Sequence, residues 1–151
     1  MNEFKVTLNK TDAASVELHL RECDERFSPT LSSRVDIGDY ARKLASLADR
    51  LEVWCGSRLV GLIAAYLNNQ ENRQGFVSSV SVCPECEGKG LASELMRKCI
   101  QHARENGCES LGLEVGESDR RTQAFYIKHG FVLSGNDRGG FLHMQLNLID
   151  Q

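Results

Sequence analysis

Gly88-Lys89-Gly90 joins an alternating apolar stretch, Gly75 to Val82, to an amphipathic one, Gly90 to Asn106. A strand that passes through a glycine turn straight into a helix commits the chain to a layered α/β arrangement. Leu91, Leu95, Cys99, Ile100 and Ala103 fall on one side of that helix, and Arg97, Lys98, Gln101, Arg104 and Glu105 on the other. Gly107 suits its C-terminal cap. Such a turn presents unpaired backbone N–H groups and the positive end of a helix dipole, which together attract an anion. Glycine there allows positive φ and close approach of the backbone to a ligand. Neither the G-x-x-x-x-G-K-[ST] string nor G-x-G-x-x-G is present, so the common nucleotide loops do not apply. Taken alone, the turn is equally an ordinary strand-to-helix connection.

The remaining periodicities place this unit in a longer series. Phe4, Val6 and Leu8 predict a first strand. Thr11 or Asp12 is suited to cap a helix running to about Phe27, followed by a loop from Ser28 to Arg34. A second helix is expected from about Asp36 to Arg50. Leu51 to Cys55 and Arg58 to Leu67 read as a hairpin about Gly56-Ser57. Beyond Gly107, Leu111 to Val115 is a strand and Asp119 to His129 a helix ended by Gly130. Phe131 to Leu133 and Phe141 to Leu148 close the series as strands. The order is β-α-α-β-β-β-α-β-α-β-β, a mixed α/β fold. With 151 residues and no repeat or low-complexity linker, it is read as one domain, residues 1–151.

Charge excludes some partners. Eighteen Lys+Arg against 21 Asp+Glu give a net charge of −3, which supplies no overall attraction to nucleic acid or an anionic membrane. Met1 to Lys10 holds no apolar signal core, and Leu59 to Leu67 is about half a bilayer span. The expectation is a cytoplasmic protein without nucleic-acid or membrane partners, a monomer or homodimer.

Six cysteines are too dispersed for a disulfide framework, so free thiols are expected. Cys83, Cys86, Cys99 and His102 form C-x2-C-x12-C-x2-H, a conceivable zinc spacing. Cys99, however, lies more than two helical turns beyond Gly90, at least about 13 Å along the axis, so no metal site is expected. His129 and His143 are read as surface or structural, and Trp54 as packed in the sheet.

The run Val80-Ser81-Val82-Cys83-Pro84-Glu85-Cys86-Glu87-Gly88-Lys89-Gly90-Leu91-Ala92-Ser93-Glu94-Leu95-Met96 resembles the acetyl-coenzyme A segment of the GNAT-type N-acetyltransferases. Asp119 to Phe131 is similar to the same family's N-x-x-A-x-x-x-Y-x-x-x-G-F pattern, with Tyr126, Gly130 and Phe131 in place and Ala124 two residues from the usual alanine. The resemblance implies a GNAT fold whose central sheet parts between two parallel strands, here Gly75 to Val82 and Leu111 to Val115. It implies that backbone groups of Val80 and Val82 hold the pantetheine arm. Turn amides of Glu87, Gly88, Lys89, Gly90, Leu91, Ala92 and Ser93 would hold the diphosphate, with Asp119 nearby. It also implies that Tyr126 protonates the departing thiolate, as a phenol of pKa about 10 can at neutral pH.

Two positions depart from that pattern. Glu87 stands where the family prefers Arg or Gln, and Asp119 replaces the usual Asn, so two carboxylates face a polyanionic ligand. Lys89, Arg97 and Lys98 are placed to offset them. An ammonium of pKa about 10 must lose a proton before attack. Glu114 is one candidate base, and Glu22, Asp24 and Glu25 are others; no acid lies on Gly75 to Val82, so transfer through water is the default. The resemblance implies that the acceptor meets the two N-terminal helices, their joining loop and the strand ends, here Glu22 to Arg34, Tyr40 and Tyr66 to Asn69, with Glu22, Phe27 and Tyr66 as the candidate contacts and Arg34 as the loop's one cation. The resulting expectation is direct, metal-free transfer of acetyl from acetyl-coenzyme A to a primary amine of a small molecule, an amino sugar or another amine, with a protein N-terminus or lysine as the other acceptor class left open. The alternative is a non-catalytic acyl-coenzyme A-binding or interaction domain of the same fold.

Overall fold

The computed structural model describes residues 3–137 and 139–149. Seven strands form one sheet: β1 Phe4–Leu8, β2 Asp49–Cys55, β3 Arg58–Tyr66, β4 Gln74–Val82, β5 Ser110–Gly116, β6 Val132–Asn136 and β7 Phe141–Asn147. The four helices are α1 Ala13–Glu22, α2 Ile37–Leu47, α3 Leu91–Glu105 and α4 Arg120–Lys128. The element order is the one that periodicity predicts. Strands stand in the order β1-β2-β3-β4-β5-β7-β6, and only β4 and β5 run parallel.

That parallel pair is short. Gln74–Val77 pair with Ser110–Leu113, and the ladder then stops. β4 continues to Val82 beside β3, and β5 continues to Gly116 beside β7, so the sheet stays intact on either side of a gap. The β3–β4 register shifts between Ala64 and Ala65, whose partners are Ser79 and Val77, leaving Ser78 as an extra residue in β4. A bulge of this kind bends its strand and increases its twist, and it sits where β4 leaves β5. The Tyr40 hydroxyl of α2 donates to the Ser78 carbonyl at 3.0 Å and lies 2.6 Å from its Oγ.

Two apolar layers cover the sheet. Val16, Leu20, Ala41 and Leu44 of α1 and α2 pack on Leu62 and Ala64. Leu95, Cys99 and Ala103 of α3 pack with Ile63, Leu111 and Leu113, and the cluster extends to Tyr126 and Phe131. At about 25 cal/mol per Å² of apolar surface removed from water, these two layers supply the main drive to fold.

Two helix ends differ from expectation. The first helix stops at Glu22 instead of about Phe27, and Asp24–Arg26 form a short 3-10 turn that leads Phe27 into extended backbone. The second stops at Leu47, and Arg50 belongs to β2. Its buried guanidinium reaches back to donate to the carbonyls of Leu44, Ala45 and Ala48 at 2.9–3.3 Å, capping the helix from outside. Arg50 also lies 3.6 Å from fully buried Glu52, whose carboxylate accepts from Thr7, Lys10 and Thr11 at 2.6–3.1 Å. This network ties β1 and the start of α1 to β2. The penultimate strand is longer than expected, Val132–Asn136. No helix among the described residues is long and apolar enough to cross a membrane.

Candidate active site

Three of the four helices are capped by an aspartate. Asp12 accepts from the Ser15 N–H at 2.8 Å, Asp36 from Asp39 at 2.9 Å and Asp119 from Thr122 at 3.2 Å. At α3 the cap is Gly90, in the left-handed region at φ 78°, with no side-chain acceptor. Gly88 is also left-handed, at φ 81°, and a Cβ at either glycine would meet nothing within 4 Å. The glycines are therefore required by backbone conformation, and the space over the turn is open. Free amides, a fifteen-residue helix dipole and open space fit a phosphate-bearing ligand.

The gap between β4 and β5 opens beside this turn into a cleft of about 390 Å³. Val80 and Val82 form its floor, Arg26 and Phe27 one wall, and Asp119 and Phe125 the other. Beyond Val77, the β5-facing edge of β4 has no ladder partner in β5, so its backbone can pair with an extended ligand. Leu91 is buried in the core and offers the turn its amide, whereas Ala92 lines the cleft. Ser93 Oγ lies 3.1 Å from His129 Nε2, tying the start of α3 to the end of α4.

Further along the gap a recess of about 80 Å³ brings together Ser79, Glu114, Thr122 and Tyr126. Tyr126 is 5% exposed and sits between Phe125 and Phe131, with ring centroids 5.6 and 5.7 Å away. Burial and then the nearby charge of Asp119 push its phenol above the ordinary value, so it holds its proton across the neutral range. Glu114 projects from β5 opposite His143 in β7 and is exposed. At the top of β5 a Cβ on Gly116 would collide with the Ser28 carbonyl, so glycine lets the α1–α2 connection close over the strand.

The remaining sequence candidates are distributed unevenly. Glu87 lines the cleft with its carboxylate 3.2 Å from the Arg26 guanidinium, a partner that the sequence reading did not include among Lys89, Arg97 and Lys98. Phe27 lines both cleft and recess. Glu22, expected to face the acceptor, instead accepts from Arg58 at 3.0 Å and lines a separate shallow depression. Asp24 accepts from the Ser32 N–H at 2.7 Å and so closes the α1–α2 connection. Glu25 stands in the wall of the cleft. Tyr66 packs against the α1–α2 layer, under Lys43 at 5.8 Å, with a buried hydroxyl that has no hydrogen-bond partner among the described residues. Arg26, Arg121 and Thr122 line the cleft and were missed. Arg121 and Thr122 had a signal, since they follow Asp119 on the first turn of α4; Arg26 fell within the Glu22–Arg34 acceptor segment, but nothing in the sequence pointed to its pairing with Glu87.

All six cysteines are free thiols. Cys83, Cys86, Cys99 and His102 do not converge: Cys99 is buried under the sheet and His102 Nε2 lies 2.9 Å from Asp49. A different buried group does, with the ligating atoms of His19, Cys23 and Cys83 all within 4.8 Å of one another. Both ring nitrogens of His19 are already engaged. Nδ1 lies 3.0 Å from the Leu59 carbonyl, to which it donates, and Nε2 lies 2.9 Å from Ser81 Oγ. The Cys83 thiol donates to the Leu59 carbonyl at 3.8 Å, and both sulfurs lie against the His19 ring, Cys23 at 3.7 Å and Cys83 at 3.6 Å. Cys23 and then His19 hold the Cys83 thiol below its usual range against the cost of burial, while Cys83 and burial push the Cys23 thiol up. The group is a hydrogen-bonded core network joining α1 to the end of β4.

Fold and cleft together define an α/β protein of acetyltransferase architecture. The model of the acetyltransferase (GNAT) family matches residues 14–131, and the chain belongs to that family. Among curated relatives, it is 30% identical over 76 residues to an N-alpha-acetyltransferase MAK3 of Arabidopsis thaliana, covering 50% of this chain and 40% of that protein. The chain thus spans less than half the length of that relative. Of solved structures, it is similar to PaiA N-acetyltransferase of Thermoplasma acidophilum in complex with coenzyme A (TM-score 0.72, 17% identity, 95% of this chain and 99% of that one). It is likewise similar to the ribosomal-protein-S18-alanine N-acetyltransferase of Escherichia coli (TM-score 0.74, 16% identity, 100% and 96%). At these identities the structural likenesses establish the fold.

Proposed function

We propose that this chain transfers an acetyl group from acetyl-coenzyme A directly to the primary amine of a small molecule, an amino sugar or another amine. The observation that carries the reading is the parting of β4 from β5 beyond Val77, which joins the open glycine turn to a recess holding Tyr126. Family membership supports the same chemistry, and one structural neighbour is a coenzyme A complex.

When bound, the thioester supplies an activated acetyl group and a thiolate leaving group. The Glu87 N–H, expected among the donors, is instead given to the Pro84 carbonyl at 3.3 Å, so the amides from Gly88 to Ser93 and the α3 dipole hold the diphosphate. The edge of β4 at Val80 and Val82 holds the extended arm, which directs the acetyl end toward the recess. Tyr126 keeps its phenolic proton and donates it toward the sulfur. Glu114 takes the proton of the acceptor ammonium, directly or through water, from the other side of the recess. Phe27 and Phe141 make its walls apolar and limit competition by water. Both unusual carboxylates are engaged, Glu87 by Arg26 and Asp119 by the Thr122 N–H, which supports a working site over a silent one.

The test is thiol release from acetyl-coenzyme A across a panel of primary amines, including amino sugars. Acceptor-dependent release that falls in Tyr126→Phe supports the reading. Coenzyme binding with no transfer to any amine or peptide N-terminus would favour the non-catalytic alternative.

A further inference from the structure

The recess beside Tyr126 contains three polar groups that the protein leaves uncommitted among the described residues. The Ser79 hydroxyl is buried in a residue only 4% exposed and has no hydrogen-bond partner. The Arg34 guanidinium has no carboxylate partner and is held 4.8 Å above the centroid of the Phe141 ring. Glu114 has no lysine or arginine partner; its neighbours are His143 and Asp137, with ligating atoms within 4.8 Å. All three line the same recess, along with Phe27 and Phe141. Arg26, the other guanidinium there, is committed to Glu87. A buried hydroxyl without a partner costs free energy that a bound polar group would recover.

The sheet anchors two of the residues involved, Phe141 beneath Arg34 and Glu114. Phe141 pairs with Gly116 and His143 with Glu114, so the ring beneath Arg34 and the Glu114 side chain arise from rungs one two-residue step apart on the β5–β7 ladder, a backbone spacing of about 7 Å. In an α-amino acid the nitrogen and the carboxylate are separated by a single carbon. One hydrogen bond of about 2.8 Å at each end extends the molecule to a span of roughly 8 Å. A guanidinium and a carboxylate that line one recess suit the two ends of a zwitterion, and a guanidinium takes a carboxylate through two parallel hydrogen bonds.

We propose that the acceptor is a free α-amino acid, its carboxylate bound by Arg34 and its ammonium placed between Ser79 and Glu114. The proposal rests on the transferase reading and narrows its acceptor. The recess adjoins a groove of about 340 Å³ that shares Glu114 and is lined by Asn69, Asn72, Gln74 and Gln145, and the acceptor side chain extends there. A peptide N-terminus offers the same ammonium with a neutral carbonyl where Arg34 needs an anion.

The experiment compares the twenty protein amino acids with their α-carboxamides and decarboxylated amines, by thiol release at saturating acetyl-coenzyme A, for wild type, Arg34→Met and Arg34→Lys. Coenzyme affinity is measured calorimetrically on the same preparations. At least one free amino acid should exceed its carboxamide in kcat/KM by about 10- to 100-fold. Arg34→Met should erase that ratio through KM while coenzyme affinity is kept, and Arg34→Lys should restore part of it. Carboxamides or amines used as well as the acids, or a ratio unchanged in Arg34→Met, would overturn the proposal and point to peptide N-termini or simple amines. Failure of all three classes with normal coenzyme binding would also overturn it. Loss of coenzyme binding in wild type would instead overturn the transferase reading.

Discussion

Arg26 Nη2 lies 3.2 Å from Glu87 Oε1, linking the turn after α1 to the glycine turn before α3 across the wall of the cleft. Both side chains are partly solvated, so the pair itself adds little stability. Its effect falls on ligand electrostatics, because Glu87 places a negative charge beside the amides that would hold a diphosphate. Glu87→Gln should tighten coenzyme binding about three- to tenfold and free Arg26 for the phosphates. Calorimetry at two ionic strengths checks this, with the gain shrinking at high salt.

Tyr126→Phe removes a hydroxyl that has no hydrogen-bond partner among the described residues, and it keeps the aromatic packing with Phe125 and Phe131. The fold and coenzyme affinity should therefore persist while turnover drops by about 100-fold or more. The pH dependence carries a sign. Folding raises this phenol's pKa, so its contribution to stability is present below the ordinary tyrosine pKa and is lost as pH rises through the higher folded value. Wild-type kcat should show no descending limb up to about pH 10, and thermal stability should decline only above that.

Gly90→Val forces a β-branched residue into a left-handed conformation, at a cost of about 1–2 kcal/mol, with no clash, since the surrounding space is open. Coenzyme affinity should fall at least tenfold because the new side chain covers the turn amides. Gly56, at φ 61° in the β2–β3 turn, is the control. Gly56→Val should lower the melting temperature similarly and leave affinity unchanged.

Arg50→Ala strands the buried Glu52 carboxylate beside its missing cation and uncovers the last carbonyls of α2. Loss of one partner from a buried pair costs about 3–5 kcal/mol. In a chain of this size the melting temperature should fall by roughly 10 °C. Thermal unfolding followed by circular dichroism checks it.

Short-range patterns carried most of the fold. The strand, glycine turn and helix from Gly75 to Asn106 combine period-two and helical spacing with positive-φ glycines, and the structure places each there. The misread boundaries are those that distant groups decide. Arg50 has a good residue type for a helix end, yet it serves α2 from the neighbouring strand. Phe27 continues the apolar spacing of α1, but the chain must leave the helix at Cys23 to build the wall of the cleft. In the site, the turn and Tyr126 were legible because the motif is local. Arg26 and Arg34 were legible only as members of the Glu22–Arg34 segment expected to meet the acceptor, and Ser79 not at all, because each acquires its partners from segments far away in sequence. Glu22 was misplaced for the same reason: its partner Arg58 is 36 residues away.

The central claim is that the parted strands and the open turn bind acetyl-coenzyme A. Calorimetric titration of the purified protein with acetyl-coenzyme A, with adenosine diphosphate as control, tests it most directly. Saturable binding with one ligand per chain, weakened when the acyl-pantetheine arm is absent, is the predicted result, since both the turn and the β4 edge contribute. No binding at millimolar concentration, or equal affinity for the diphosphate alone, would contradict the account.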